Sequence, residues 1–247
     1  MTDMDMDVDM DSDTPESSPS IPDSYWVPPP LPADKLFQDA DGAWIGSCWD
    51  EVTSTEERLI QFLTRWPPSR TPPAYSAWIA IDRGGNQPCT PDVASLTSSF
   101  QNLITSGAVT VENLDQISRA HNVLVGKWLV FADHESIDLL WGKVVHLLCV
   151  QLKKGSAKVS TRKEGERHVI CVYTEDFTDL KEVKALRAGL RRIGVRWKIG
   201  FKTDAYTHLG IYAKNEWNLR PTRYFELVHL QHPAYNSGVI DTDPPKK

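Results

Sequence analysis

Between residues 54 and 231 the chain alternates between two hydrophobic periods, and this alternation limits the folds open to it. Five stretches carry helical spacing. Ser54-Thr55-Glu56-Glu57 has capping-box spacing and precedes Leu59, Ile60, Phe62 and Leu63, predicting a helix that ends near Trp66, before Pro67-Pro68. Thr90-Pro91 opens a second helix, whose Val93, Leu96, Phe100, Leu103 and Ile104 share a face until Gly107. A shorter helix covers 111–121. Ser136 caps a fourth through Gln151, with Ile137, Leu140, Trp141, Val144, Val145 and Leu148 inward. Thr178 caps a fifth, with Leu180, Val183, Leu186, Leu190 and Ile193 inward and Gly194 as its stop. Short β-type runs lie between and after them, at 74–82, 126–132, 157–161, 169–174, 197–202 and 224–231. Some connections are only of hairpin length, so the class is α+β: a mainly antiparallel sheet with helices on one face.

The ends differ in composition. Residues 1–24 hold eight acidic residues, no basic ones, and many Ser and Pro; such a stretch cannot bury enough apolar surface to offset its ordering entropy and is read as a disordered acidic tail. It serves as a solubilising segment or as an internal screen for basic surface. Residues 25–43 form an aromatic and Pro-rich lead-in. Within it the run from Tyr25 to Pro32 (YWVPPPLP) is polyproline-II-like, suited to a protein partner or to packing Trp26 on the domain. A single domain then covers 44–232, and 233–247 is a loose C-terminal tail.

The net charge of −6 hides an asymmetry: residues 25–142 carry fourteen acidic and seven basic residues, whereas residues 143–232 carry nine acidic and eighteen basic. A basic block of this kind attracts phosphates or forms solvated helix faces and sheet rims. No apolar run approaches the roughly 20 residues that span a bilayer, and the N-terminus has no secretory pattern. Cys48, Cys89, Cys149 and Cys171 are scattered without a C-x-x-C pair, which places the chain in a reducing cytoplasmic or nuclear setting.

Enzyme signatures are missing. There is no G-x-S-x-G, no H-E-x-x-H and no phosphate loop ending in G-K-[ST]. His229 and His232, three apart on a β-type run, point to opposite faces and do not make a metal pair. Arg83-Gly84-Gly85-Asn86 lacks the spacing of a nucleotide-binding loop and reads as an ordinary turn. Neither a reaction nor a cofactor nor a metal is assigned.

One segment is over-furnished for a plain strand-loop-strand. Residues 198–224 (KIGFKTDAYTHLGIYAKNEWNLRPTRY) combine five cations with the carboxylate of Asp204, the hydroxyls of Thr203 and Thr207, and the rings of Tyr206, Tyr212, Trp217 and Tyr224. Its series KxD-x-YTxLGIY-xxN-xW-xxxPTxY resembles the uncharacterised family named after the basophilic leukaemia-expressed protein. The resemblance implies a fold like that of translation initiation factor 4E, a curved sheet backed by helices, over about 44–231. It implies no biochemical activity. The Trp-bearing loops with which the cap-binding relatives hold a methylated base have no counterpart here. Trp44 and Trp49 are either stacking residues or an edge packed on the sheet.

The same segment supplies the candidate ligand site: Lys202, Asp204, Tyr206, Thr207, Asn215, Trp217 and Arg220, with Arg162, Lys163 and Arg167 as phosphate-binding support. Cations recognise phosphates, rings stack on bases and a carboxylate accepts from a base edge. Trp217, Pro221 and Tyr224 serve equally well to lock a long loop, and Lys202, Asp204 and Thr207 form either an acid–base cluster or an ion pair holding a turn. The expectation is a monomeric, non-catalytic RNA- or nucleotide-binding module. A protein-interaction adaptor and an enzyme acting on a small phosphorylated molecule are the alternatives.

Overall fold

In the computed structural model, residues 36–39, 42–49, 55–84, 90–161, 165–226 and 239–241 are described. The acidic tail, the Tyr25 to Pro32 run, Arg162, Lys163, His229 and His232 lie outside them. The strands are β1 (Leu36–Asp39), β2 (Gly42–Cys48), β3 (Trp78–Asp82), β4 (Gly126–Ala132), β5 (Ser156–Ser160), β6 (His168–Thr174), β7 (Gly200–Thr203), β8 (Tyr224–Glu226) and β9 (Val239–Asp241). The helices are α1 (Glu56–Arg65), α2 (Val93–Thr105), α3 (Val111–Ala120), α4 (Ile137–His146), α5 (Leu180–Arg192) and α6 (Asp204–His208). The class is α+β.

All nine strands form one unclosed sheet in the order β1-β2-β3-β5-β6-β4-β7-β8-β9. Every pairing is antiparallel except β2 with β3. That exception has a local cause: α1 lies between β2 and β3, and a helical crossover returns the chain in the same direction. Two strands come from outside the expected 44–232 domain. The sheet begins at β1 within the lead-in, and β9, within the expected tail, pairs with β8.

Alternation divides the sheet into two faces. Ile45, Ile79, Ile81, Ala157, Val159, Ile170, Val172, Trp128, Val130 and Phe201 are buried on one side, in a core completed by Leu59, Ile137, Trp141, Val144, Val145, Val183, Leu186 and Leu190 of the helices. Gly126 is required here, because a Cβ at that position would collide with the Phe201 ring. Trp128 donates its indole N–H to the Val183 carbonyl at 3.2 Å, tying β4 to α5. A second apolar cluster joins Leu96 and Phe100 of α2, Leu114 of α3, Ala205 and Tyr206 of α6, and Leu209, Ile211 and Leu219.

Helix positions follow the predicted faces except at Ile60 and Leu180, which are exposed, while the caps shift by a residue or two. Thr55 accepts from the Arg58 N–H, Asp92 from Ser95, and Asp179 from Lys181 and Glu182, in place of Ser54, Thr90 and Thr178. Each of these side chains sits one residue before the first helical turn, where an acceptor meets unpaired N–H groups. The predicted 136–151 helix changes its hydrogen-bond spacing at Leu147 and finishes as a π-helical segment, Leu147–Leu152, closed by Lys153 at φ 53°. The remaining addition is α6, a short helix where a loop was expected; Thr203 caps it by accepting from the Tyr206 N–H. Among the described residues no helix is long and apolar enough to cross a membrane.

Candidate ligand-binding face

The face of the sheet opposite α1, α4 and α5 is where most of the unexpected chemistry lies. Backbone register alone arranges it in rows, because residues paired across strands project to the same side. One row runs Cys48, Asp82, Ser156 across β2, β3 and β5, and Tyr173, Lys127, Lys202 across β6, β4 and β7. The register of β5 with β6, Ala157 opposite Val172, brings Ser156 beside Tyr173 and makes the row continuous. A second row places Gly46, Ala80, Lys158 and Cys171 side by side, continuing to Leu129 and Gly200. A third sets Trp44 beside Trp78 and Ser160.

Two lysines at one end of the first row differ in their partners. Lys127 donates to Asp204 Oδ1 at 2.6 Å and to Thr207 Oγ1 at 3.3 Å, and its ammonium lies 5.6 Å from the Tyr173 ring centroid. Lys202, directly opposite it on β7, is 6% exposed, and its ammonium sits 3.6 Å from the centroid of the exposed Tyr212 ring. Burial, reinforced by the charge of Lys127 and opposed by that of Asp204, draws the Lys202 ammonium down to about 8. The Tyr212 face pulls the other way, since a ring quadrupole favours a cation. Further along the sheet, the Lys158 ammonium lies between two indoles, 3.9 Å from the Trp44 centroid and 4.2 Å from that of Trp78.

The predicted site residues therefore separate. Lys202, Asp204 and Thr207 are brought together, but Asp204 pairs with Lys127 and not with the neighbouring Lys202. Tyr206 is not at the surface: its ring fills the second apolar cluster, and burial raises its hydroxyl pKa well above the ordinary tyrosine value. Asn215 is a loop lock. Its amide donates to the carbonyls of Tyr212 at 2.8 Å and Leu219 at 2.6 Å, and its oxygen accepts from the Leu219 N–H at 3.0 Å. These bonds hold a loop with Lys214 and Asn218 at positive φ, 62° and 55°. Trp217 packs edge-on against Phe100, 5.1 Å between centroids. Arg220 is exposed, its guanidinium 5.1 Å from the Phe225 ring centroid. Arg167 is exposed and bound to Asp133 at 2.8 Å, away from Lys202 in the sheet, on the far side of β4 from β7. So Tyr206, Asn215 and Trp217 belong to the scaffold, because each is spent on packing or on backbone hydrogen bonds.

Sequence reasoning did not select Lys127, Lys158, Tyr173, Trp78 or Tyr212, which the structure sets on this face or over its lysines. The available signal was a lysine inside an otherwise apolar strand: Lys127 in GKWLVFA and Lys158 in SAKVS each alternate out of the core. Among the described residues no group of three or more His, Cys, Asp and Glu side chains is placed to hold a metal ion.

Residues 95–210 match the family model described as Basophilic leukemia-expressed protein Bles03. The match spans a little under half of the chain and supports the resemblance to that family. The Bles03 match takes in α2 to α6 and β4 to β7, and so includes Lys127, Lys158, Tyr173, Lys202, Asp204 and Thr207. Trp44, Trp78, Tyr212, Asn215, Trp217 and Arg220 lie outside it.

Proposed function

We propose that the chain binds single-stranded RNA or a nucleotide, without catalysis, on the open face of its sheet. The observation that carries this reading is the alternation of amines and rings on that face: Lys202 over Tyr212, Lys127 over Tyr173, and Lys158 between Trp44 and Trp78. Single strands are held by that combination, phosphates by cations and bases by aromatic faces, with little sequence preference. The open face also suits the initiation-factor-4E-like architecture that the family resemblance implies, and a monomer in the cytoplasm or nucleus is part of the same reading. Titration of the full chain with a short single-stranded RNA, followed by tryptophan fluorescence at about 50 and about 200 mM salt, tests it; two or three phosphate contacts predict a fall of about tenfold between the two. Absence of saturable binding at either salt would reject the RNA part of the reading and leave only the nucleotide.

A further inference from the structure

The rows of the open face leave a hole with a definite location. Gly46 and Ala80 occupy the second row between the indoles of Trp44 and Trp78 on one side and Cys48 and Asp82 on the other. Small residues flanked by large ones create a depression, and a cavity of about 330 Å³ opens there, lined by Trp44, Gly46, Ala80, Asp82, Lys158 and Tyr173 among others. That size is at the lower end of small-molecule sites, room for one flat heterocycle and not for several. Its chemistry is mixed in a useful way. Trp44 and Tyr173 supply aromatic wall, Lys158 a cation beside the indoles, Asp82 an exposed carboxylate, and Ser156 a hydroxyl.

Tyr173 borders both the cavity and the lysine pair. The cavity lies on one side of it, through Ser156; on the other side Lys127 and then Lys202 follow in register. Strands are about 4.8 Å apart, so Ser156 and Lys127 are about 10 Å apart along the row. A base, its sugar and a 5′-phosphate bridge a span of that order. Lys127 is fixed by Asp204 and Thr207, and Lys202 stands beside it, so a phosphate arriving past Tyr173 meets two amines on adjacent strands.

We infer that the cavity over β2, β3 and β5 takes the nucleobase of a nucleoside 5′-phosphate, and that Lys127 and Lys202 take the phosphate of the same nucleotide. The inference rests on the open-face reading and sharpens it, by assigning the base to a place outside the 198–224 segment where the sequence located the site. Trp44 acts as wall and Asp82 as an acceptor for the N–H groups of the base edge; Asp82 already accepts the Gly84 N–H at 2.8 Å through one oxygen, which fixes the carboxylate's orientation. Ring-to-base contact of this type is tolerant of base identity, whereas loss of either the base or the phosphate removes a separate part of the site.

The test uses the full chain with AMP, ribose 5-phosphate and adenosine. AMP is expected to saturate, with adenosine and ribose 5-phosphate each weaker by about tenfold or more. Cys48 provides a readout that needs no mutation: it is an exposed cysteine that lines the cavity, so AMP slows its alkylation, followed by mass spectrometry of the Cys48 peptide. Ala80→Leu fills the cavity floor from the open side without entering the helix-covered core, and is expected to lose AMP binding while keeping its melting temperature. Trp44→Leu is expected to weaken AMP in the same way. AMP binding that persists in Ala80→Leu, or that leaves Cys48 alkylated at its free rate, overturns the inference, as does a failure of AMP to saturate. The two readings fail separately. RNA binding with Cys48 unprotected by AMP rejects this cavity but keeps the open face; protection of Cys48 by AMP without RNA binding supports the cavity and rejects the strand.

Discussion

Two ion pairs tie the 198–224 segment to distant parts of the chain, and they contrast in geometry and in consequence. Arg223 meets Asp115 of α3 as a fork, Nε at 3.2 and 3.1 Å and Nη2 at 2.9 Å, with both side chains about nine-tenths buried. Lys127 meets Asp204 through a single ammonium at 2.6 Å, and Asp204 remains 24% exposed. The first pair anchors the segment to α3 beside the second apolar cluster, where Tyr206, Trp217 and Leu219 pack. The second pair sits on the open sheet face, beside an amine whose charge is costly to keep. One segment thus has a scaffold end and a chemical end, and the most conspicuous residues of the sequence lie mostly at the scaffold end.

The largest expected effect breaks the scaffold pair. Asp115→Ala deprives a buried guanidinium of its carboxylate and is expected to cost about 3–5 kcal/mol, measured by urea unfolding. Replacing both partners with apolar residues of similar volume, Asp115→Leu with Arg223→Met, is expected to recover most of that loss, since no buried charge is then left without its partner. A cost for the single variant under about 1 kcal/mol would put this pair in the same class as a surface salt bridge.

Trp217→Ala comes next. Its ring is half-buried against Phe100, so truncation is expected to cost about 2–3 kcal/mol, below the range for a fully buried aromatic. RNA affinity per folded molecule is expected to change by less than about twofold, because a ring that packs on Phe100 contributes no stacking energy to a base. If affinity falls sharply while stability holds, the ring is a ligand contact after all and the division of the segment collapses.

The fold class was legible because it rests on local periods. The inward positions of α4 are those that spacing selects, as are Leu96 and Phe100 of α2 and Val183, Leu186 and Leu190 of α5, though Leu180 is exposed; Gly126–Ala132 alternates as its residues suggest. β1 and β2 were not legible: LFQD is short and charged, GAWIGSC carries two glycines, and their strand state comes from pairing β1 with β2 and β2 with β3. The candidate site fared differently for the same reason. Lys202, Asp204 and Thr207 are close in sequence and stayed close in space, whereas Lys127 is 77 residues from its carboxylate partner. Trp44, Trp78 and Lys158 come together only through the β2-β3-β5 register. Chemistry assembled by long-range pairing leaves no spacing to read.

Lys127→Met tests the chemical end directly. Asp204 keeps partial access to water, so the stability cost is expected to stay near 1 kcal/mol. RNA affinity is expected to fall several-fold, and the slope of log affinity against log salt to decrease in magnitude by about one, the signature of a lost phosphate contact. The opposite profile, a large stability loss with an unchanged salt slope, would make Lys127–Asp204 a second scaffold pair and leave the open face without a demonstrated phosphate contact.

The smallest effect concerns pH, and it separates two roles of one amine. The Lys202 ammonium is drawn from 10.5 in an unperturbed lysine to about 8, first by burial and then by Lys127. Below pH 8 both folded and unfolded chains hold the proton, and the folded state bears the full cost of a buried charge. Between about 8 and 10.5 the unfolded chain binds more protons than the folded one, so this group's contribution to stability rises with pH across that window. Phosphate binding runs the other way: the cation is present below 8 and is lost above it, so RNA affinity is expected to fall a few-fold from pH 7 to about 9, with a smaller salt slope at the higher pH. A bound phosphate favours the ammonium and moves the midpoint of the affinity profile above that of the free protein. Lys202→Met should flatten this step in both profiles, raising stability most below pH 8 and leaving affinity insensitive to pH through the same range. If the variant keeps the wild-type affinity step, the titrating group lies elsewhere and Lys202, under the ring of Tyr212, belongs with the scaffold.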